Sequence, residues 1–196
     1  MGKELDIYKL HKPDRTYDII DLDIVSMADQ IAEENNLSYK EAVILAKIGF
    51  PSGKTKIADI VKNGFSCKVE KEALKQAYDV NLFTNYLVLN QKAYIALGNY
   101  LQVYGEFIPL RCDKELILFN PLVFEEEDES LTEKAYLNGI EDGLKSLSFK
   151  SDKNLVFKSC MQGGTALYCN AAFKSLVNEN SLSGLSFNSD LVSIFA

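Results

Sequence analysis

Residues 49–55, Gly49-Phe50-Pro51-Ser52-Gly53-Lys54-Thr55, are the run whose residue types come nearest to phosphate chemistry. A phosphate-cradling loop wraps backbone N–H groups around the anion, places a Lys on the terminal phosphates and gives a Ser/Thr hydroxyl to Mg²⁺. Its two glycines are separated by four residues, whereas three separate Gly49 from Gly53. The residues before it also read as a capped helix, where the motif requires a buried strand. The expectation is therefore a turn that ends a helix. The alternative is a small nucleotide-binding enzyme using Gly53, Lys54 and Thr55.

Glu125, Glu126, Glu127, Asp128 and Glu129 form the longest run of like charge. They are the candidate partner-binding residues, an anionic patch suited to a basic surface such as the substrate groove of a nuclease. The plain reading is a solvated loop whose carboxylates face the positive end of a following helix. Consecutive acids point in different directions and the Asp/Asn/Gly alternation of a calcium loop is missing, so no metal site is expected. The single histidine, His11, stands near Asp14 at the end of a predicted strand, and with one histidine no Ser-His-Asp triad or histidine pair is assigned. Asp18, Asp21 and Asp23 alternate along a strand-like run and could pair as acid and base, but nothing marks them as buried. Cys67, Cys112, Cys160 and Cys169 lack any C-x-x-C spacing and are expected to be buried thiols, not a zinc site. No catalytic residue, cofactor or metal ligand is assigned, and the chain is not expected to be an enzyme.

The elements that must position these residues follow from periodicity and caps. Residues 4–10 and 17–25 alternate like short strands. Ser26 is the expected cap of a first helix with Ala28, Ile31 and Ala32 on one face. Ser38 and Glu41 make a capping box for a second, whose body, residues 42–46, is apolar nearly all round and expected to be buried. A short helical segment at 57–63, a strand at 66–69 and a helix over 71–78 follow. Next come a buried strand at 86–89, a helix at 91–103, and a hairpin of 105–110 with 115–119 in which Pro109 calls for an edge or bulge. Ser130 and Glu133 form a second capping box, which predicts a short helix through Ile140. Strands at 146–150, 155–158 and 166–169 precede a helix capped by Asn170, with Phe173, Leu176 and Val177 inward, and Gly184 turns the chain into 185–187. The expected fold class is α+β: a mixed, largely antiparallel sheet with hairpins packed against several short helices.

Composition bounds the rest. The 196 residues carry 21 Lys+Arg against 28 Asp+Glu, for a net charge of −7, and are 47% apolar. That suits one soluble domain over residues 1–196, with at most a seam near 81 dividing 1–80 from 81–196. There is no 18-residue apolar run for a membrane span, and no basic stripe with interleaved aromatics for nucleic acid. Residues 1–6 lack a basic stretch leading into an apolar one, so a cytoplasmic protein is expected. No internal repeat is visible. The edge strand at 107–110 could pair across a two-fold axis, which would allow a homodimer.

Residues 101–111, Leu-Gln-Val-Tyr-Gly-Glu-Phe-Ile-Pro-Leu-Arg, then Ile117-Leu118-Phe119-Asn120, resemble the centre of immunity family eleven of bacterial polymorphic toxin systems. The likeness continues through Leu155-Val156-Phe157-Lys158, Leu167-Tyr168-Cys169, Phe173-Lys174 and the ending Leu182-Ser183-Gly184-Leu185-Ser186-Phe187. It covers roughly residues 85–196. Phe124 followed by acids stands where a Leu-Asp pair is expected, and residues 1–80 lie outside the likeness. The resemblance implies a non-catalytic inhibitor, made in the producing cell, that occludes the active site of a secreted or contact-delivered toxin. A regulatory interaction module with another partner would share the same composition.

Overall fold

Two five-stranded sheets share one apolar filling, and each has its own second core on the far side. In the computed structural model, residues 5–13, 16–72 and 78–193 are described. Sheet one has the order β14 (Ser186–Asn188), β1 (Ile7–His11), β13 (Leu167–Asn170), β12 (Val156–Ser159), β9 (Phe124–Glu125). Sheet two has the order β3 (Phe65–Ser66), β7 (Gly105–Arg111), β8 (Leu116–Pro121), β6 (Tyr86–Asn90), β5 (Val80–Phe83). Among the described residues only the β3–β7 and β9–β12 pairs are parallel, so the fold is α+β with largely antiparallel sheets, as the sequence predicts.

Strand alternation sorts the side chains into cores. From β6, Leu87 and Leu89 join Val156, Leu167 and Cys169 of sheet one between the sheets. α4 (Gln91–Leu101) and α5 (Ala171–Glu179) fill the same space through Ala93, Leu97, Leu101, Phe173 and Val177. Each large side chain buried there contributes about 1.5–3 kcal/mol. Tyr86 and Val88 point the other way, beneath α1 (Ile24–Asn35) and α2 (Tyr39–Ile44). Phe157 and Tyr168 leave the opposite face of sheet one and pack with Ile7, Leu147 and Phe149. The predicted seam near 81 does not separate strands: β3 pairs with β7, and β1 lies between β13 and β14.

Although no repeat is visible in the sequence, two stretches share a supersecondary plan. β5, β6 and α4 form an antiparallel hairpin leading into a helix, and β12, β13 and α5 repeat the plan. In each, an asparagine ends the second strand and caps the helix: Asn90 Oδ1 accepts from Ala93 N (2.9 Å) and Asn170 Oδ1 from Phe173 N (3.0 Å). The shared residues are too few to register as periodicity.

Other elements shift for local reasons. α1 begins after Asp23, whose Oδ1 accepts from Ser26 N (2.7 Å), so Asp23 is the cap and Ser26 lies in the first turn. That leaves only β2 (Ile20–Asp21) of the predicted strand at 17–25, paired with β4 (Lys68–Val69). The Ser38–Glu41 capping box is present. The body it starts is not buried all round, because Ile44 and Ile48 face solvent, and residues 45–49 widen into a π-turn. Of the predicted helix at 71–78, residues 73–77 lie outside the described residues. Pro109 precedes the two residues, Leu110 and Arg111, at which β3 joins β7, so it costs no ladder bond to that neighbour.

The second predicted capping box does not form. Ser130 bonds Asp128 through its amide (3.0 Å) and hydroxyl, and Glu133 starts a strand. β10 (Glu133–Leu137) and β11 (Ile140–Ser146) are an antiparallel hairpin. Asn138 (φ 52°) and Gly139 (φ 81°) turn the chain between Leu137 and Ile140. Both turn residues take left-handed φ, the two-residue turn that Asn-Gly favours and a helix cannot contain.

Candidate partner-binding surface

The acidic run does not present five carboxylates to solvent. Strand alternation around β9 turns Glu125 and Glu127 inward, while Glu126 and Glu129 face out and Asp128 is half-buried. Glu125 accepts from Asn154 Nδ2 (2.5 Å), and burial raises its pKa against the opposing pull of that bond. Glu127 accepts from the Ser159 hydroxyl and from Met161 N (3.0 Å), so it holds the turn between β12 and β13. Asp128 is kept acidic by its Ser130 bonds. Glu126 pairs with Lys150 at the surface (3.0 Å).

The 49–55 run is a turn. Ser52 N donates to Ile48 O (3.0 Å), Gly53 N to Phe50 O (3.0 Å) and Thr55 N to Gly49 O (3.3 Å). Those amides are therefore not free to wrap a phosphate, and Lys54 points to solvent. Of the cysteines, Cys169 is buried as expected, Cys67 and Cys112 are half-buried, and Cys160 is exposed on the β12–β13 turn, which corrects that expectation. Burial, then the neighbouring Cys112 thiol, pushes the Cys67 thiol up to about 12. Among the described residues no group of three or more His, Cys, Asp or Glu is placed to hold a metal ion. No helix among them is long and apolar enough to cross a membrane.

A buried polar chain joins the two sheets. Lys158, fully buried on β12, donates to Asn120 Oδ1 (3.0 Å) and to Pro51 O (3.3 Å), and its ammonium lies 5.7 Å from the centre of the Tyr86 ring. Asn120 Nδ2 donates to Glu106 Oε1 (2.8 Å), and that carboxylate accepts from Ile57 N (2.8 Å) and Ala58 N (3.0 Å) at the start of α3 (Ile57–Ile60). Burial lowers the Lys158 pKa to about 7, with Glu106 opposing. The Phe157-Lys158 and Phe119-Asn120 pairs thus supply two adjacent members of this polar chain. Nothing in their local spacing marks them as buried.

Two clefts open beside it. The first, about 1030 Å³, runs between α1, α2 and the β5–β6 turn, and the second, about 570 Å³, lies between β1, that turn and the β10–β11 hairpin. Thr84 and Thr165, from the turns of the two hairpin-and-helix units, line both. Thr84 has φ 52°, an uncommon conformation for a β-branched residue. Side-chain atoms buried without a partner collect here. His11 Nε2 is at the second cleft, Asn85 Nδ2 and the Tyr86 hydroxyl are at the first, and Asn81 Oδ1 is on adjoining β5. Burial raises the Tyr86 pKa and a hydrogen-bonding pull from the adjacent Asn85 side chain opposes it, although no well-formed bond joins Asn85 Nδ2 to the phenol oxygen. Backbone strain of this kind clusters at functional sites. Burial, and after it the neighbouring Lys9, lowers the His11 pKa, and Asp14 lies outside the described residues.

The β10–β11 hairpin walls the second cleft through Glu141, Gly143 and Leu144. Among the described residues its strands pair only with each other, and its tip exposes Tyr136 (64%), Leu137 (62%) and Ile140 (74%). The Lys134–Glu141 ion pair lies just behind the tip and Lys145–Glu133 lies at the base of the ribbon. The Asn138-Gly139 pair was the sequence signal for this element; the Ser130–Glu133 spacing masked it. Compared with known proteins, the chain matches no family model and no curated protein.

Proposed function

We propose that this chain is a non-catalytic immunity protein that binds a cognate secreted or contact-delivered toxin in the cytoplasm of the producing cell and occludes its active site. The resemblance over residues 85–196 supplies the class. The observation that carries the reading is the free hairpin: three large apolar side chains held out on a two-stranded ribbon, with paired charges behind them. Large exposed apolar side chains rimmed by charge mark protein-binding surfaces, and an aromatic anchor such as Tyr136 is the residue type that dominates such interfaces. The concave floor beside it, with its unmet polar atoms, gives a partner hydrogen bonds to complete. The net charge of −7 favours a basic partner surface and fast association.

The test begins with capture of the bound protein from native lysate on the tagged chain. The C-terminal domain of the captured protein is then expressed in a host with and without this chain. Growth arrest relieved by co-expression is expected. A captured domain that is harmless alone, or that kills regardless of co-expression, overturns the reading.

A further inference from the structure

We infer that the first cleft is a binding site for a peptide segment that places an arginine or lysine among apolar residues. Its floor is apolar, with Ile20, Leu22, Met27 and Phe83 buried beneath it. Its lip carries Asp18, Asp21, Asp23 and Glu70 against one cation, Lys47. Asp18 is taken by Lys12 and Asp23 by the start of α1. Asp21 and Glu70 have no cation within ion-pair distance among the described residues, although Lys68 stands opposite Asp21 in the β2–β4 pair. Two carboxylates above an apolar floor suit a cation on an apolar stem, which is the form of an arginine or lysine side chain.

The inner wall selects a peptide over a simple amine. Asn85 and Tyr86, 5% and 2% exposed, line the cleft and carry a donor and a hydroxyl without partners. An amine offers no acceptor to Asn85 Nδ2, whereas peptide carbonyls and amides satisfy both groups. These atoms sit just beneath the wall, so the occupant reaches them as the Thr84–Asn85 turn shifts. Thr84, already at positive φ, is the residue whose strain such a shift would relieve. Exposed Ile24, Val25 and Tyr39 at the lip cover the flanking apolar residues of the segment. The cleft is at the upper end of ligand-pocket volumes, which run to about 1,000 Å³, and has room for several residues. The inference concerns this cleft alone and holds whatever the partner at the hairpin proves to be.

The experiment titrates the full chain with three hexapeptides, identical but for a central arginine, glutamine or glutamate between leucines, followed by amide NMR shifts. The arginine peptide should move Val25, Thr84 and Asn85 saturably. It should bind roughly fivefold tighter than the glutamine peptide, the worth of two exposed charge pairs, and the gap should narrow with salt. Asp21→Asn with Glu70→Gln should bring the two peptides level. Tyr86→Phe should weaken every peptide while leaving the melting temperature equal or higher, since it deletes an unmet hydroxyl. Shifts confined to other surfaces, equal affinity for all three peptides, or unaltered affinity in Tyr86→Phe would overturn the inference.

Discussion

The two hairpin-and-helix units follow one plan, and their turns have opposite character. Between β5 and β6 the chain reverses through two residues, with Thr84 at positive φ and Asn85 and Tyr86 left with unmet polar atoms. Between β12 and β13 the turn is longer and internally bonded. Gly163 N donates to Cys160 O (3.1 Å), Gly164 N to Ser159 O (3.1 Å) and Thr165 N to Gln162 O (3.2 Å), while Glu127 grips it from outside. Both turns border the same clefts, so one face of the site is fixed and the other is under strain. The second unit carries its own cost deeper, in Lys158. A strained turn and an internally bonded one are thus divided between two copies of one supersecondary plan.

The largest expected effect sharpens that contrast within a single turn. A Cβ on Gly164 (φ +74°) would stand 2.1 Å from Pro51 O, whereas one on Gly163 (φ +60°) meets nothing within 4 Å. Gly164→Ala should cost more than about 3 kcal/mol, and Gly163→Ala only about 1 kcal/mol, the backbone term alone. Urea unfolding of both variants checks this, and equal losses would show that the turn does not pack on Pro51.

Lys158 predicts a pH signature. Its folded pKa near 7 lies well below the unfolded value of about 10.4. Below pH 7 both states are protonated and the full penalty of the buried charge is present. Between about pH 7 and 10 the unfolded chain holds a proton that the folded one has released, so stability gains up to about 1.4 kcal/mol per pH unit. The buried Tyr86, Tyr168 and Cys169 have raised pKa values, which act in the opposite sense at higher pH, but they are common to the parent and to Lys158→Met. The stability of the parent relative to Lys158→Met should therefore climb between pH 7 and 9. A flat difference would mean that Lys158 is not buried as described.

Removing the equivalent caps should weaken both units alike. Asn90→Ala and Asn170→Ala should each cost about 1 kcal/mol. A tenfold inequality in unfolding constants would break the equivalence. The smallest effect should have the opposite sign: Thr84→Gly, by releasing a left-handed β-branched residue, should gain about 0.5 kcal/mol after the entropic cost of glycine. A loss there would mean that the turn is not strained.

The parts of this architecture that were legible in the sequence are those fixed within a few residues. The Ser38–Glu41 capping box, the Asn170 cap, the β7–β8 hairpin and the α+β class all follow from local pattern. Where two local signals competed, tertiary context decided. Ser130 and Glu133 had the spacing of a helix start, but Asn138-Gly139 closes a hairpin, and Asp23 displaces Ser26 as the α1 cap by lying one turn earlier. The site was mostly hidden because its members meet across the fold. Glu106 caps a helix 49 residues before it, and Lys158 is buried against a carbonyl 107 residues away. Glu125 and Glu127 turn inward through strand alternation that a run of acids does not advertise. Exposure of Tyr136, Leu137 and Ile140 likewise depends on what fails to cover them.

The hairpin tip is the surface proposed to meet a toxin, and one variant tests it. Tyr136→Ser with Ile140→Ser alters only exposed side chains, so its thermal unfolding should match that of the parent. Co-expressed with the captured toxin domain, it should lose at least tenfold in toxin affinity and fail to restore growth, as expected when the aromatic anchor on one face of the ribbon and an apolar residue on the other are both removed. Full protection by this variant at parental stability would show that the tip is not the toxin-binding surface.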